Sequence, residues 1–421
     1  MDSLPHPAPG AQPTAGCPGA RYDPQVLRIT SATQSYAWGS STALQEVLGL
    51  PARGVIAEAW LGTHPSAPSR LSGDEAATLP EAIAADTGHA LGADVVARFG
   101  PRLPYLLKVI AAEHPLSLQV HPALARARTG FAQEEAAGIP RDAPQRNFRD
   151  ANHKPELVYA LTRFEAMCGF RAPRRAAELF AGLDTPLARD LHRTLVEQPT
   201  PEGIRAVFTR LLDPTTRPGP DEVAALAAAA AARLADGSPS PRADRTVVLL
   251  QEEYPGDPGV ATSLLLNPVT LQPGEAMFVP AGGVHAYVHG VAVEIMASSD
   301  NVLRAGLTPK HVDVPELLRN VDYVAAPPIR IAPEVFHGAT RVFYAPVDDF
   351  ELSVTEVSDD EEHPLPGRGP RILLVLDGRL TVRGADDGEL LLGRGEAAFV
   401  PAADGLLTVR GTGRLVQADV P

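Results

Sequence analysis

A nine-residue segment recurs without a gap, identical at seven positions, at an offset of 121: PGEAMFVPA at 273–281 and RGEAAFVPA at 394–402. This repeat constrains the fold more than any other feature of the chain, because it calls for two copies of one structural unit. The offset is too long for a solenoid. Each copy follows short apolar runs and turn signals such as Asp377-Gly378, the pattern of two small antiparallel barrels. A chain of 421 residues also exceeds what one hydrophobic core usually organises, so several units are expected.

Residues 104–121 and 153–161 are short apolar runs bounded by Pro and polar residues, and 264–298 carries more of the same; all read as strands. Between them, 173–235 changes to helical spacing and high helix propensity, with Thr200 as an N-cap and Pro201 at a first helical position. The stretch DGSPSPRADR at 236–245 reads as a flexible close to this insertion. Residues 1–24 are rich in Pro, Gly and Ala and cannot offset their ordering entropy by burial, so a disordered leader is expected. The expected fold is mainly β with an α-helical insertion. Its parts are a discontinuous barrel from 25–172 and 246–325, a helical domain at 173–245, and a second, degenerate barrel at 326–421.

Composition narrows the function. Lys plus Arg number 37 against 51 Asp plus Glu, a net charge of −14, which argues against a nucleic-acid or anionic-membrane surface. A small anionic substrate would need a local positive pocket. No apolar stretch is long enough to cross a bilayer, so a soluble, cytoplasmic protein is expected. Cys17 and Cys168 alone argue against a disulfide framework and exclude a cysteine zinc cluster. Any metal must use His, carboxylate or amide ligands.

The segment GEAMFVPAGGVH at 274–285 has the spacing G-x5-P-x-G-x2-H. Its Gly and Pro residues turn the strand sharply and aim His285 into a barrel. Gln119 and His121 stand two apart and share a strand face. The first spacing resembles the second conserved motif of cupins, although His289 stands where cupins often carry Asn. The resemblance narrows to type I phosphomannose isomerases through LQVHP at 118–122, NHKPEL at 152–157, YAWG at 36–39, EAWLGTHP at 58–65 and SDNVLRAGLTPK at 299–310. That resemblance implies two cupin-type jelly-roll barrels and one zinc ion per chain held by Gln119, His121, Glu156 and His285. One carboxylate only half neutralises a divalent ion, which leaves an electrophilic site.

Arg304 and Lys310 follow the His285 turn, Lys154 lies two residues before Glu156, and Lys108 and Ser117 precede Gln119. In so acidic a chain, these cations beside the motifs suit a phosphate dianion. Lys154, Lys310, Lys108 and Ser117 are therefore assigned to substrate, and the resemblance places Arg304 in the active site. It also implies interconversion of an aldose phosphate and a ketose phosphate through a cis-enediolate, supplying activated mannose (GDP-mannose) synthesis. Glu294, Asp300 and His153 are all candidates for the proton carrier. A small sugar phosphate is the expected partner, with no nucleic acid or membrane, and the chain is expected to be a monomer or weak homo-oligomer. Two other readings stay open. His121, His285 and Glu156 would suit an Fe(II) cupin oxygenase if Gln119 is not a ligand, and a non-catalytic sugar-binding cupin would keep the same barrel. In the second copy, the counterparts of Gly282 and His285 are Ala403 and Leu406, so that barrel is expected to be metal-free.

Overall fold

The computed structural model describes residues 26–51, 54–384 and 388–421; the expected leader at 1–24 lies outside them. The two copies of the repeat form matching strands, Ala276–Val279 and Ala397–Val400. Matching turns precede them: the Glu275 carboxylate accepts from the Gln272 N–H, and Glu396 accepts from the Gly393 N–H.

The first sandwich has one layer in the order Ile329–Ile331, Ala276–Val279, Glu156–Ala160, His285–Ala297, Tyr105–Ala112, Glu58–Leu61, Ala32–Gln34. The long strand His285–Ala297 belongs to both layers. From Gly290 onward it pairs with Tyr105–Ala112, and from Ala292 also with Glu156–Ala160. Its first half pairs with Phe164–Phe170 and, through His285, with Leu118–Val120. The corner falls at Gly290, whose φ is 119°. A Cβ there would stand 2.5 Å from the Arg163 carbonyl, so only glycine lets the strand fold over.

Side-chain alternation sorts the burial into layers. Ile110, Val158, Ala160, Phe164, Cys168, Val279 and Ala292 fill the first sandwich. Its Leu107, Val109, Leu157, Val293 and Ile295 face outward, against Phe343, Leu352, Leu374, Phe399 and Val416 of the second sandwich. The second sandwich has an aliphatic interior that includes Leu373, Val375, Leu380, Val400 and Leu415. Neither strand order closes into a ring among the described residues.

The helices cover the remaining face, packing on Leu118, Val120, Met167, Val284, Ala286 and Leu303. Five successive helices, Pro173–Phe180, Pro186–Glu197, Pro201–Leu212, Pro220–Ala235 and Pro241–Glu253, each begin with Pro, whose fixed φ and missing N–H suit a first turn. The last of these differs from expectation: the stretch read as a flexible close contains a helix start, Ser240 followed by Pro241, and the helical run continues through Gly259–Thr262.

Two boundaries also differ. Strands Leu27–Thr30, Arg70–Leu71 and Asp74–Thr78, expected in the first barrel, pair within the second sheet, where Leu27–Thr30 lies beside Ala397–Val400. Ile329–Ile331, expected in the second barrel, is an edge of the first. The modules exchange edge strands, which no local pattern in the sequence signals.

Candidate metal centre

Register brings Gln119, His285 and Arg304 into one row. Gln119 lies directly opposite His285 on one side and Arg304 on the other, so all three project into the first sandwich. Glu156 begins the strand in the facing layer and is buried. The turn between Pro280 and His285 aligns the rest. Gly282, at φ 80° with Asn320 and Asp322 close by, donates its N–H to the His121 carbonyl at 2.9 Å.

His121, Glu156 and His285 meet with their ligand atoms within 4.8 Å of one another. His121 Nε2 is 3.2 Å from Glu156 Oε1, and His285 Nε2 is 3.5 Å from Oε2. Each ring donates its other nitrogen to a carbonyl: His121 Nδ1 to Asn301 at 2.8 Å and His285 Nδ1 to Gly283 at 3.0 Å. That fixes the tautomer and turns both Nε2 lone pairs on the carboxylate, the usual preparation of metal-binding histidines. His121 Nε2 is buried without a hydrogen-bond partner, and burial, helped by Lys154, holds its pKa down to about 4. Burial would raise the Glu156 pKa, yet the Lys154 charge holds it well below the usual range. Cys168 lies opposite His285 in register, and burial pushes its thiol up to about 12. Two neutral imidazoles and one carboxylate fit a divalent ion of zinc type, with the Gln119 amide on the same face.

Around this set lies a buried charged network. The Lys154 ammonium is 2.9 Å from Glu156 Oε1. Lys108, which the sequence left open to a surface reading, is buried over the Trp60 ring, 3.4 Å from Glu294 and 3.8 Å from Glu58. Burial opposes its charge, but Glu58 and Glu294 outweigh that and raise its pKa. The Tyr287 hydroxyl stands between Glu294 at 2.8 Å and Glu156 at 3.1 Å. Burial and the Glu156 charge raise the Glu294 pKa.

The three proton-carrier candidates separate in space. Glu294 is inside. Asp300 is at the mouth, its Oδ1 2.9 Å from His64 Nε2; burial would raise its pKa, but the His64 bond and charge lower it. His153 is not brought to the site: its Nε2 bonds Asp349 of the second module at 3.0 Å. Ser117 is half-buried, just before the strand that carries Gln119.

Arg304 and exposed Lys310 form a cationic group with a residue the sequence reading missed, Arg149. Burial lowers the pKa of both, and each also feels the Arg149 charge. None of the three is in an ion pair among the described residues, whereas Lys108 and Lys154 are. Glu58, His64, Asn301 and Tyr287 were missed as well. Two-residue spacing from Trp60 and His285 was the available signal for Glu58 and Tyr287.

The second copy retains no such set, and only one group of His, Cys, Asp and Glu with metal-binding geometry is found among the described residues. Arg371 lies opposite Val400 as Glu156 lies opposite Val279. Its guanidinium donates to the Gly367 and Gly405 carbonyls. An internal cation thus stands at the counterpart of Glu156, and Leu406, the counterpart of His285, is exposed.

The family model described as phosphomannose isomerase type I, catalytic domain, matches residues 26–173. The mannose-6-phosphate isomerase of Escherichia coli is 42% identical over 402 residues, covering 93% of this chain and 99% of its own. The chain belongs to the type I phosphomannose isomerases. The human mannose-6-phosphate isomerase is 33% identical over 84% of this chain and 88% of its own. A crystal structure of the Salmonella typhimurium enzyme bound to its substrate, fructose 6-phosphate, and zinc superposes with a TM-score of 0.84. It is 40% identical and covers 93% of this chain and 98% of that one. A mannose 6-phosphate isomerase bound with zinc and yttrium matches equally, at a TM-score of 0.84.

Proposed function

We propose that this chain is a zinc-dependent isomerase interconverting mannose 6-phosphate and fructose 6-phosphate, serving the cytoplasmic supply of GDP-mannose. The observation that carries the reading is the pairing of the His121, Glu156 and His285 set with three cations, Arg149, Arg304 and Lys310, that have no carboxylate ion-pair partner among the described residues. A metal site alone would suit an oxygenase; the unpaired cations call for an anionic substrate, and the family supports the isomerase.

Zinc, held by His121, Glu156, His285 and Gln119, would supply Lewis-acid stabilisation of the charge developing on the substrate oxygens. Lys310 and Arg149, at the open edge, would bind the phosphate, with Ser117 beside them. Arg304, one position from Gln119 across the row, would stabilise the enediolate between C1 and C2. We assign the proton transfer to Glu294, whose raised pKa and inward placement suit a group that both takes and returns a proton. Lys108 would keep its charge balanced, while Lys154 would orient Glu156. Asp300, held as a carboxylate by His64, would shape the mouth. The first and second sandwiches would correspond to two cupin-type modules, the second serving as a scaffold.

The test is a coupled assay with fructose 6-phosphate on protein of known metal content. Chelation should abolish turnover and zinc should restore it. Full activity in protein shown by mass spectrometry to hold no metal would end this reading.

A further inference from the structure

We propose that Asn301 is a positioning residue, fastening the metal ligand His121 and the substrate-side loop 149–152 into one unit. The inference rests on the reading of His121 as a metal ligand. Asn301 is completely buried, and its polar groups are used in two directions. Its backbone carbonyl accepts the His121 Nδ1 proton at 2.8 Å. Its side-chain Oδ1 accepts from the N–H groups of Arg149 at 2.8 Å and Asp150 at 3.3 Å. Its Nδ2 donates to the carbonyls of Asp150 and Asn152, both at 2.8 Å. Ser299 reinforces the arrangement: its hydroxyl accepts from the Asn301 N–H at 3.2 Å and donates to Asp150 Oδ1 at 2.9 Å.

Only a primary amide of this length offers two donors and an acceptor in that geometry. Asp would turn a carboxylate oxygen on two carbonyls, and an apolar side chain would take the Asn301 partner from four part-buried or buried backbone groups, of which the Asn152 carbonyl would keep only the Ser299 hydroxyl at 3.3 Å. The loop so held carries Arg149 and runs directly into Lys154 and Glu156. One side chain therefore ties the orientation of one ligand to the segment that delivers another and to a cation of the anion-binding edge. Loss of such outer contacts typically weakens metal binding about 10- to 100-fold, and a misplacement of about 1 Å can cost about 100-fold in rate.

The experiment compares Asn301→Ala and the near-isosteric Asn301→Asp with wild type in the full chain. Zinc affinity is measured by competition with a chelator, kcat and KM with fructose 6-phosphate at saturating zinc, and melting temperature on the same preparations. The expected result is zinc binding weaker by about tenfold together with a rise in KM of about tenfold or more, well below each variant's melting temperature. Amide exchange at Arg149 and Asp150 should also lose protection. A merely structural role would lower the melting temperature alone. Folded variants that bind zinc and turn over substrate within about twofold of wild type would overturn the proposal. Wild-type protein that holds zinc but lacks isomerase activity would sink the functional reading instead, and the zinc comparison would still decide this one.

Discussion

At the scale of single residues, buried polar atoms without a hydrogen-bond partner occur in both sandwiches: His121 Nε2 in the first, and Ser353 Oγ, Arg371 Nε, Gln417 Oε1 and Asp419 Oδ2 on strands of the second. Asp419 is the clearest case. Its Oδ1 accepts the Val420 N–H at 2.8 Å, but Oδ2 is buried with none. Burial pushes its pKa up to about 7, against the opposing charge of Arg371 and with the added repulsion of Glu351, which lies directly across the strand pair. The Tyr105 hydroxyl also faces it. Because the folded-state pKa is raised, the folded protein keeps a proton that the unfolded chain has released from about pH 4 upward. Stability should therefore fall as pH rises from about 4 to about 7 and level off above that, by on the order of 4 kcal/mol for this group alone. The amide of the variant Asp419→Asn cannot titrate, so the melting temperature of the variant relative to wild type should climb between pH 5 and pH 8. A difference that stays flat across that range would show that Asp419 is ionised throughout. Residues of this sort were invisible in the sequence, where Asp419 is one acid among many near the C-terminus. The metal set was legible because His121, Glu156 and His285 sit in motifs whose Gly, Pro and alternate spacing have a geometric meaning. Arg149 was not, since its place depends on a loop tethered by Asn301 from 152 residues away.

Elements explain which parts of the fold could be read. Strand runs at 104–121 and 153–161 and the helices after Pro173 and Pro201 follow from local pattern, and all form. The repeat likewise foretold two equivalent strands. The exchange of edge strands could not be read, because Leu27–Thr30 chooses its neighbour through long-range pairing rather than its own composition. Nor could the double role of His285–Ala297, which depends on a bend at Gly290. That bend gives the element-scale prediction. Gly290→Ala would force an L-residue to a φ of 119° and push its methyl group into the Arg163 carbonyl and the Phe164 backbone. The neighbours are main chain and cannot swing away, so the cost should be about 2–4 kcal/mol. Thermal or urea unfolding measures it directly. Because His285 and Glu294 lie on the two arms of the bend, the variant should also lose turnover at temperatures where it stays folded. A variant with unchanged stability would mean that the corner is made elsewhere.

The two sandwiches of the molecule share one apolar layer. The sheet that carries Glu156, Lys108 and Glu294 inward presents Leu107, Val109, Val293 and Ile295 outward to the second module, within one continuous apolar cluster. Exchanged strands cross the same boundary, the Tyr105 hydroxyl donates to the Pro370 and Ala418 carbonyls, and His153 is tied to Asp349. An interface that amounts to a shared core should make the two modules unfold together, unlike domains joined by a small polar contact. The distribution of tryptophan makes this testable. Both tryptophans, Trp38 and Trp60, lie in the first half of the chain, so fluorescence reports the first module, whereas far-ultraviolet circular dichroism reports all the β structure. The two melting curves should coincide in a single transition. Zinc adds a second arm to the test. Binding only to the first module, at a free concentration about 100-fold above its Kd, it should add about 2.7 kcal/mol of stability, and in one cooperative unit that gain must move both curves by the same amount. A dichroism trace with a second step that zinc leaves in place would show instead that the second module folds by itself, and the shared apolar layer would then be a docking contact between independent domains.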